Sequence, residues 1–475
     1  MEISVTLRII FQLLYLVTAI GIAFVVISEN RNPIKTISWV LLLLFLPVVG
    51  IIFFYFFGQD NRKQRMLSRK IYKNIKKRPA DIFPFDEKSQ IASEYRPLVN
   101  LLNKSNNASL FDGNKIDIFT NGKEKFNALF NDIEQAQSYI HVQYYIFLDD
   151  KIGNEVKKLL IKKASQGIHI RILYDEVANW KIKNKFYEEM QQAGIEISGY
   201  LKVRFPLLTS RVNYRNHRKI VIIDGKIGYI GGMNIADRYI NGPHWGGNWR
   251  DTHIRIEGRG VYGLQSSFLM DWHIASKKME VSPKYYPEMP SFNANLLQIA
   301  VDGPIGQWRN LLQATIRIIG SAKQYIYVQT PYFLPTEGIT QALQLAALSG
   351  VDVRIMLPAY SDSKAVNYAT MSYIEDMMQS GVRIYLYTKG FLHAKLLLSD
   401  DYISVVGSAN MDFRSFEHNF EVNAYIYDKD TARKMKEIFF RDQQSCKRIA
   451  IDEWQNRPRT QKIKESFMRL FSPLL

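Results

Sequence analysis

Two short segments hold side chains suited to phosphate chemistry. HRKIVIID carries His217, Lys219 and Asp224, and HAKLLLSD carries His393, Lys395 and Asp400. An H-x-K spacing on a strand points both side chains to one face, because strand side chains alternate. The apolar runs Ile220–Ile223 and Leu396–Leu398 predict strands, and Asp224-Gly225 is a turn signal. Each motif is followed by another apolar strand and a small-residue turn, GGMN (Gly231–Asn234) or GSAN (Gly407–Asn410). Small residues there let backbone and the asparagine amide approach a ligand closely.

Such a set suits phosphodiester transfer without a metal. One imidazole attacks phosphorus, and a second protonates the leaving alkoxide. Lysines and amides hold the charge on the non-bridging oxygens. One site then needs two histidines, two lysines and two asparagines, and each motif supplies half. The expected site is a single one, where the two segments meet.

The elements that must bring them together repeat. SYIHVQYYIF (Ser138–Phe147) is similar to KQYIYVQTPYF (Lys323–Phe333), and each precedes a helical stretch, a glycine and another strand. Alternation of β-branched runs with helical stretches predicts an α/β fold. The expectation is two tandem domains with mixed sheets flanked by helices and the active site at their interface. Residues 111–280 form the first, 281–292 a proline-bearing linker and 293–475 the second. The closing stretch, Gln461–Leu475, is basic with an apolar face and either caps the second domain or touches lipid.

Ahead of these lie two apolar runs, Ile9–Ile27 and Ile37–Phe57, each near the ~20 residues that cross a bilayer. Residues 1–60 are therefore expected to form a transmembrane hairpin, and 61–110 a basic juxtamembrane linker. Between Gly58 and Arg78 stand nine Lys/Arg against one acid, Asp60. The positive-inside rule puts that stretch and the following domains on the cytoplasmic side, against anionic lipid. The net charge of +17 agrees with an anionic partner.

The single cysteine, Cys446, excludes an intramolecular disulfide and a thiolate zinc site. The eight histidines include no HExxH pattern. Neither a metal nor another cofactor is expected.

Duplicated HxKxxxxD with GG/GS-x-N resembles the phospholipase D superfamily. ENRNPIKTISWVLLLLFLPVVGIIFFYFFGQDNRK (Glu29–Lys63), NWRDTHIRIEG (Asn248–Gly258), YVQTPYFLP (Tyr327–Pro335) and FRSFEHNFEVN (Phe413–Asn423) resemble blocks of its bacterial cardiolipin synthases. That resemblance implies a catalytic set of His217, Lys219, Asp224, His393, Lys395 and Asp400. Within it, Asp224 and Asp400 would orient their own motifs. His217 would be the nucleophile, by family habit alone, and His393 the acid and then the base. Lys219, Lys395, Asn234 and Asn410 would bind the phosphate. Motif position suggests Asp251 as the carboxylate orienting His217 and Glu421 as that orienting His393. Arg414 and Ser415 line the pocket or serve structure.

The implied reaction joins two phosphatidylglycerols into cardiolipin and glycerol, in the bacterial cytoplasmic membrane. A hydrolytic phospholipase D, or a transferase using phosphatidylethanolamine, would use the same histidines. No nucleic acid is expected as partner, because a membrane hairpin is an odd tether for a nuclease.

Overall fold

A computed structural model describes residues 91–201, 214–278, 282–292, 295–304 and 306–475, with 33–54 and part of 6–24 ahead of them. The chain divides into a unit of residues 1–68 with 203–212, and a larger unit of 69–202 with 213–475.

The larger unit is built on one mixed sheet of 15 strands. In its first half, Leu110–Phe119, His253–Glu257, Ile227–Gly231, Ile220–Ile223, Tyr139–Tyr144, His169–Asp175 and Glu196–Tyr200 lie side by side in that order. The second half repeats the order with Asn295–Asp302, Glu421–Tyr427, Ile403–Gly407, Leu396–Ser399, Tyr325–Gln329, Asp352–Pro358 and Arg383–Tyr387, edged by Cys446–Arg448. Leu110–Phe119 and Asn295–Asp302 pair antiparallel and join the halves. The repeated segments Tyr139–Tyr144 and Tyr325–Gln329 are buried throughout. Strands covered on both faces are mostly apolar, and the polar residues within these two, His141, Gln143 and Gln329, are hydrogen-bonded.

Each half has its own apolar core. Ile140, Val142, Ile172, Met190 and Val221 belong to one, and Ile326, Ile355, Leu343 and Leu397 to the other. The described part of the expected 61–110 linker joins the second core. Helix Arg96–Asn106 is amphipathic and buries Leu98, Val99 and Leu102 there. The expected 281–292 linker is packed as well. Tyr285 is fully buried, and its hydroxyl takes a 3.0 Å hydrogen bond from Arg171. Helix Arg459–Arg469 packs against Lys364–Met371, with Glu465 buried beneath Arg457, while Ile463, Phe467 and Leu470 stay exposed. It caps the second half and still presents an apolar face.

In the smaller unit the first expected span, Ile9–Ile27, lies only partly within the described residues. The second is helical over Pro33–Phe45 and Pro47–Phe53. The break falls at Leu46, because Pro47 has no N–H to return to Leu43. Among the described residues no helix is long and apolar enough to cross a membrane. The Tyr15 hydroxyl donates to the Leu43 carbonyl, so the two apolar runs touch. Ile9, Leu13, Val17, Phe24, Ile37, Leu44 and Phe45 point outward.

Candidate active site

Each motif histidine begins where its chain crosses to the other half. Asn216 bridges Phe420 in parallel, and the His217 N–H donates to the Phe420 carbonyl at 2.9 Å. In the mirror position Gly390–Leu392 pairs in parallel with Asn248–Arg250, and the His393 N–H donates to the Arg250 carbonyl at 2.7 Å. Gly390, at φ +149°, is required there: an added Cβ would lie 2.1 Å from the Asn248 carbonyl oxygen.

That crossing decides which carboxylate serves which imidazole. Each histidine pairs with the strand of the other half, one residue before that half's carboxylate. Glu421 therefore meets His217, with Nδ1 3.0 and 3.1 Å from its two oxygens. Asp251 meets His393, at 2.7 Å from Nδ1. Both expected residues orient a histidine, but the expected pairing is reversed. Motif position had matched them within a half, and the backbone pairs them across.

The small-residue turns also act differently from expectation. A Cβ on Gly232 would fall 2.1 Å from Asp251 Oδ1, so glycine makes room for the carboxylate rather than for a ligand. The equivalent residue of the second turn, Ser408, donates its hydroxyl to Glu421.

Both histidines are nearly buried. Burial lowers the His217 imidazole to about 4, against the upward pull of Glu421. Burial opposes ionisation of Glu421, yet His217 and Lys219 hold its pKa below the ordinary value. Neutral His217 thus donates Nδ1–H to an ionised Glu421 and leaves the Nε2 lone pair free. Burial, then Lys395 and Lys219, hold His393 well below its ordinary value. Burial lifts Asp251 to about 6 and brings Lys395 down to about 8. The Lys219 ammonium is likewise disfavoured by burial. Each lysine donates to the backbone carbonyl of its own motif histidine, and Lys395 Nζ lies 3.0 Å from His393 Nδ1.

Asp224 and Asp400 lie away from the imidazoles. Asp224 accepts from the backbone N–H groups of Gln137, Ser138 and Tyr139, at 2.8 to 2.9 Å. Asp400 does the same for Lys323, Gln324 and Tyr325. Both sit at φ +53°. These aspartates latch the hairpin turn after each motif to the repeated strand beside it. Their place in the catalytic set is thereby corrected to a structural one, as a carboxylate whose lone pairs are taken by backbone cannot serve the phosphate.

Asn234 and Asn410 do reach the cavity, though with partners. Asn234 donates to the Tyr239 hydroxyl and Asn410 to Asp412, leaving Asn410 Oδ1 unpaired and buried. Arg414 lines the cavity, whereas Ser415 is fully buried and accepts from the Asn410 N–H. Sequence reasoning missed the groups behind the histidines. Asp271 binds Gln143, Asn216 and Arg218, and Asp442 binds Gln329 and Arg250. The glutamine recurring in the repeated strand (HVQ, YVQ) was the available signal.

His217, His393, Asn234 and Asn410 open into one cavity of about 420 Å³, ringed by Tyr145, Tyr239, Trp249 and Tyr332. A second cleft, of about 510 Å³ near Asn241 and Arg441, contains none of the motif residues. The family model for the cardiolipin synthase, PLD-like domain matches residues 129–245 and 315–443, one copy around each motif. The chain belongs to the cardiolipin synthase family. A phospholipase D-nuclease N-terminal model matches residues 13–59. Cardiolipin synthase of Geobacillus thermodenitrificans is 40% identical, over 98% of this chain and 94% of its own. Major cardiolipin synthase ClsA of Bacillus subtilis is 38% identical over the full length of both. Phosphatidylserine synthase of Haemophilus influenzae, at 14% identity, shares the fold with a TM-score of 0.60 over 80% of this chain and all of its own. As a cardiolipin synthase family member, the chain is a phosphatidyltransferase of the phospholipase D superfamily, acting on membrane phospholipid.

Proposed function

We propose that the enzyme transfers a phosphatidyl group from one phosphatidylglycerol to another through a phosphatidyl-histidine on His217. Two imidazoles facing one cavity, each fixed at Nδ1 by a buried carboxylate, carry this reading. His217 Nε2 attacks the donor phosphorus, the phosphorus–glycerol bond breaks, and His393 protonates the departing alkoxide. A glycerol hydroxyl of the second lipid then gives its proton to His393 and attacks phosphorus, and His217 leaves. The products are cardiolipin and glycerol. Lys219 and Lys395 offset the phosphate charge, and the bound anion in turn raises the pKa of His393 so that it can carry the proton.

Assignment of the nucleophile to His217 is supported by its ionised partner Glu421, which stabilises the positive imidazole that forms on attack. The two N-terminal runs are proposed to form a transmembrane hairpin. The outward apolar side chains of 6–54 exceed what a water-facing surface carries. The basic stretch after Gly58 favours a cytoplasmic catalytic unit.

The test is mass spectrometry of lipids after purified enzyme meets phosphatidylglycerol vesicles, with His217→Ala as control. Cardiolipin and glycerol from the wild type alone are expected. Phosphatidic acid without cardiolipin would make the enzyme a hydrolase. Product only after phosphatidylethanolamine is added would change the second substrate.

A further inference from the structure

Each half carries an arginine four residues beyond its turn asparagine: Arg238 after Asn234 and Arg414 after Asn410. Both line the catalytic cavity. Arg215, Arg218 and Arg250 are tied to Asp175, Asp271 and Asp442. Arg238 and Arg414 have no carboxylate partner among the described residues, and Arg238 Nε is buried without a hydrogen bond.

Their surroundings separate the two. The Arg238 guanidinium lies 5.3 Å from the Trp249 ring and 5.7 Å from that of Tyr239. Trp249 in turn lies 5.4 Å from the His393 imidazole, whose protonation Arg238 opposes. Arg414 acts instead on Tyr145, whose ring stands edge-on to His217 at 4.9 Å. Arg238 is thus the cation on the side of the proposed acid and base.

In-line displacement gives that side a particular occupant. With His217 bonded to phosphorus, the leaving glycerol and the incoming hydroxyl both pass by His393. An incoming phosphatidylglycerol brings a second phosphodiester, one glycerol unit from its reacting hydroxyl. In the transfer proposed above the two lysines, buried behind the histidines, offset the charge of the first phosphate, so the second needs its own counter-charge. A guanidinium free of carboxylates and stacked on an aromatic face is a pre-organised fork for phosphate oxygens.

We propose that Arg238 is the anion subsite of the second lipid, binding the acceptor phosphodiester while the acceptor hydroxyl is presented to His393. This rests on the phosphatidyl transfer proposed above. It makes Arg238 a specificity residue, favouring an anionic lipid alcohol over water or free glycerol.

Two reactions of the full chain in phosphatidylglycerol vesicles test it. Cardiolipin formation needs the second phosphodiester. Exchange of labelled glycerol into phosphatidylglycerol needs the same cleavage and re-formation, but its acceptor has no phosphate. Arg238→Gln is expected to slow cardiolipin formation about 10- to 100-fold more than it slows exchange, the loss typical of a charge-assisted hydrogen bond. Arg238→Lys, which keeps the charge and a stem along Trp249, is expected to recover part of the loss. Equal falls in both reactions would assign Arg238 to the donor phosphate and overturn the proposal. Unchanged cardiolipin formation would overturn it too. If the glutamine variant does not fold, the lysine variant decides by the same comparison. Wild-type enzyme that exchanges glycerol but makes no cardiolipin would overturn the transfer reading itself, and the subsite with it.

Discussion

Glu421→Gln and Asp251→Asn separate the two imidazoles. The crossed pairing predicts that Glu421→Gln impairs His217 and so slows formation of the phosphatidyl-enzyme. Asp251→Asn, through His393, should slow both protonation of the leaving glycerol and breakdown of the phosphatidyl-enzyme by alcohol. Losses of about 10²–10⁴-fold are expected, since a tautomer-fixing carboxylate contributes on that order. Acid quenching followed by lipid-on-protein mass spectrometry distinguishes them: the asparagine variant, whose nucleophile keeps its carboxylate, should still yield a slowly decaying adduct, and the glutamine variant should yield little. The reverse pattern would exchange the roles of the histidines. The pH profile belongs to the same scale. Falling pH protonates Asp251 through about 6 and removes the charge behind His393. Rising pH deprotonates Lys395 through about 8 and removes the charge proposed to offset the phosphate. kcat/KM should therefore fall on both sides of a maximum between these values. In kcat the alkaline limb should move higher, because bound phosphate favours the ammonium. A profile flat from pH 5 to pH 9 would contradict both assignments.

Asp224 and Asp400 act on elements, each joining a hairpin turn to the strand beside it through three backbone N–H groups. Asp224→Ala should cost about 1–3 kcal/mol by stranding those donors, read as a lower midpoint of thermal unfolding. Activity at a permissive temperature should largely survive, whereas a carboxylate that touched phosphate would be missed at every temperature. Gly232→Ala predicts the opposite separation. Its methyl would displace the Asp251 carboxylate from 2.1 Å away, so activity should fall far more than stability. The motifs, their strands and the repeat that carries them were all legible in the sequence, because alternation and turn residues are local signals. The packed segments around Leu98 and Tyr285 were not. Charge and proline mark a linker by composition, while the few apolar residues that anchor each segment are spread among polar ones.

Across the whole molecule, removal of residues 1–60 should release the enzyme from membranes more than it impairs chemistry. Vesicle flotation and turnover on detergent-dispersed lipid measure the two effects. A soluble truncation inactive on dispersed lipid would give the N-terminal unit a catalytic part. Fusing a reporter active only in the cytoplasm after Leu475 tests the orientation, and an inactive reporter would reverse it.

The candidate reacting groups were legible in the sequence alone. Two histidines and two lysines at strand spacing, duplicated within a repeat, leave little choice of chemistry, because side-chain type and local periodicity are properties of contiguous residues. Which carboxylate holds which imidazole was decided only by the tertiary structure. Glu421 reaches His217, and Asp251 reaches His393, because backbone pairs at Asn216–Phe420 and Leu392–Arg250 cross between halves more than 140 residues apart. The duty of Asp224 and the cavity-lining arginines at 238 and 414, without a carboxylate partner among the described residues, emerged in the same way. Whether a charged side chain meets backbone, carboxylate or an open cavity depends on neighbours that only the folded chain brings near.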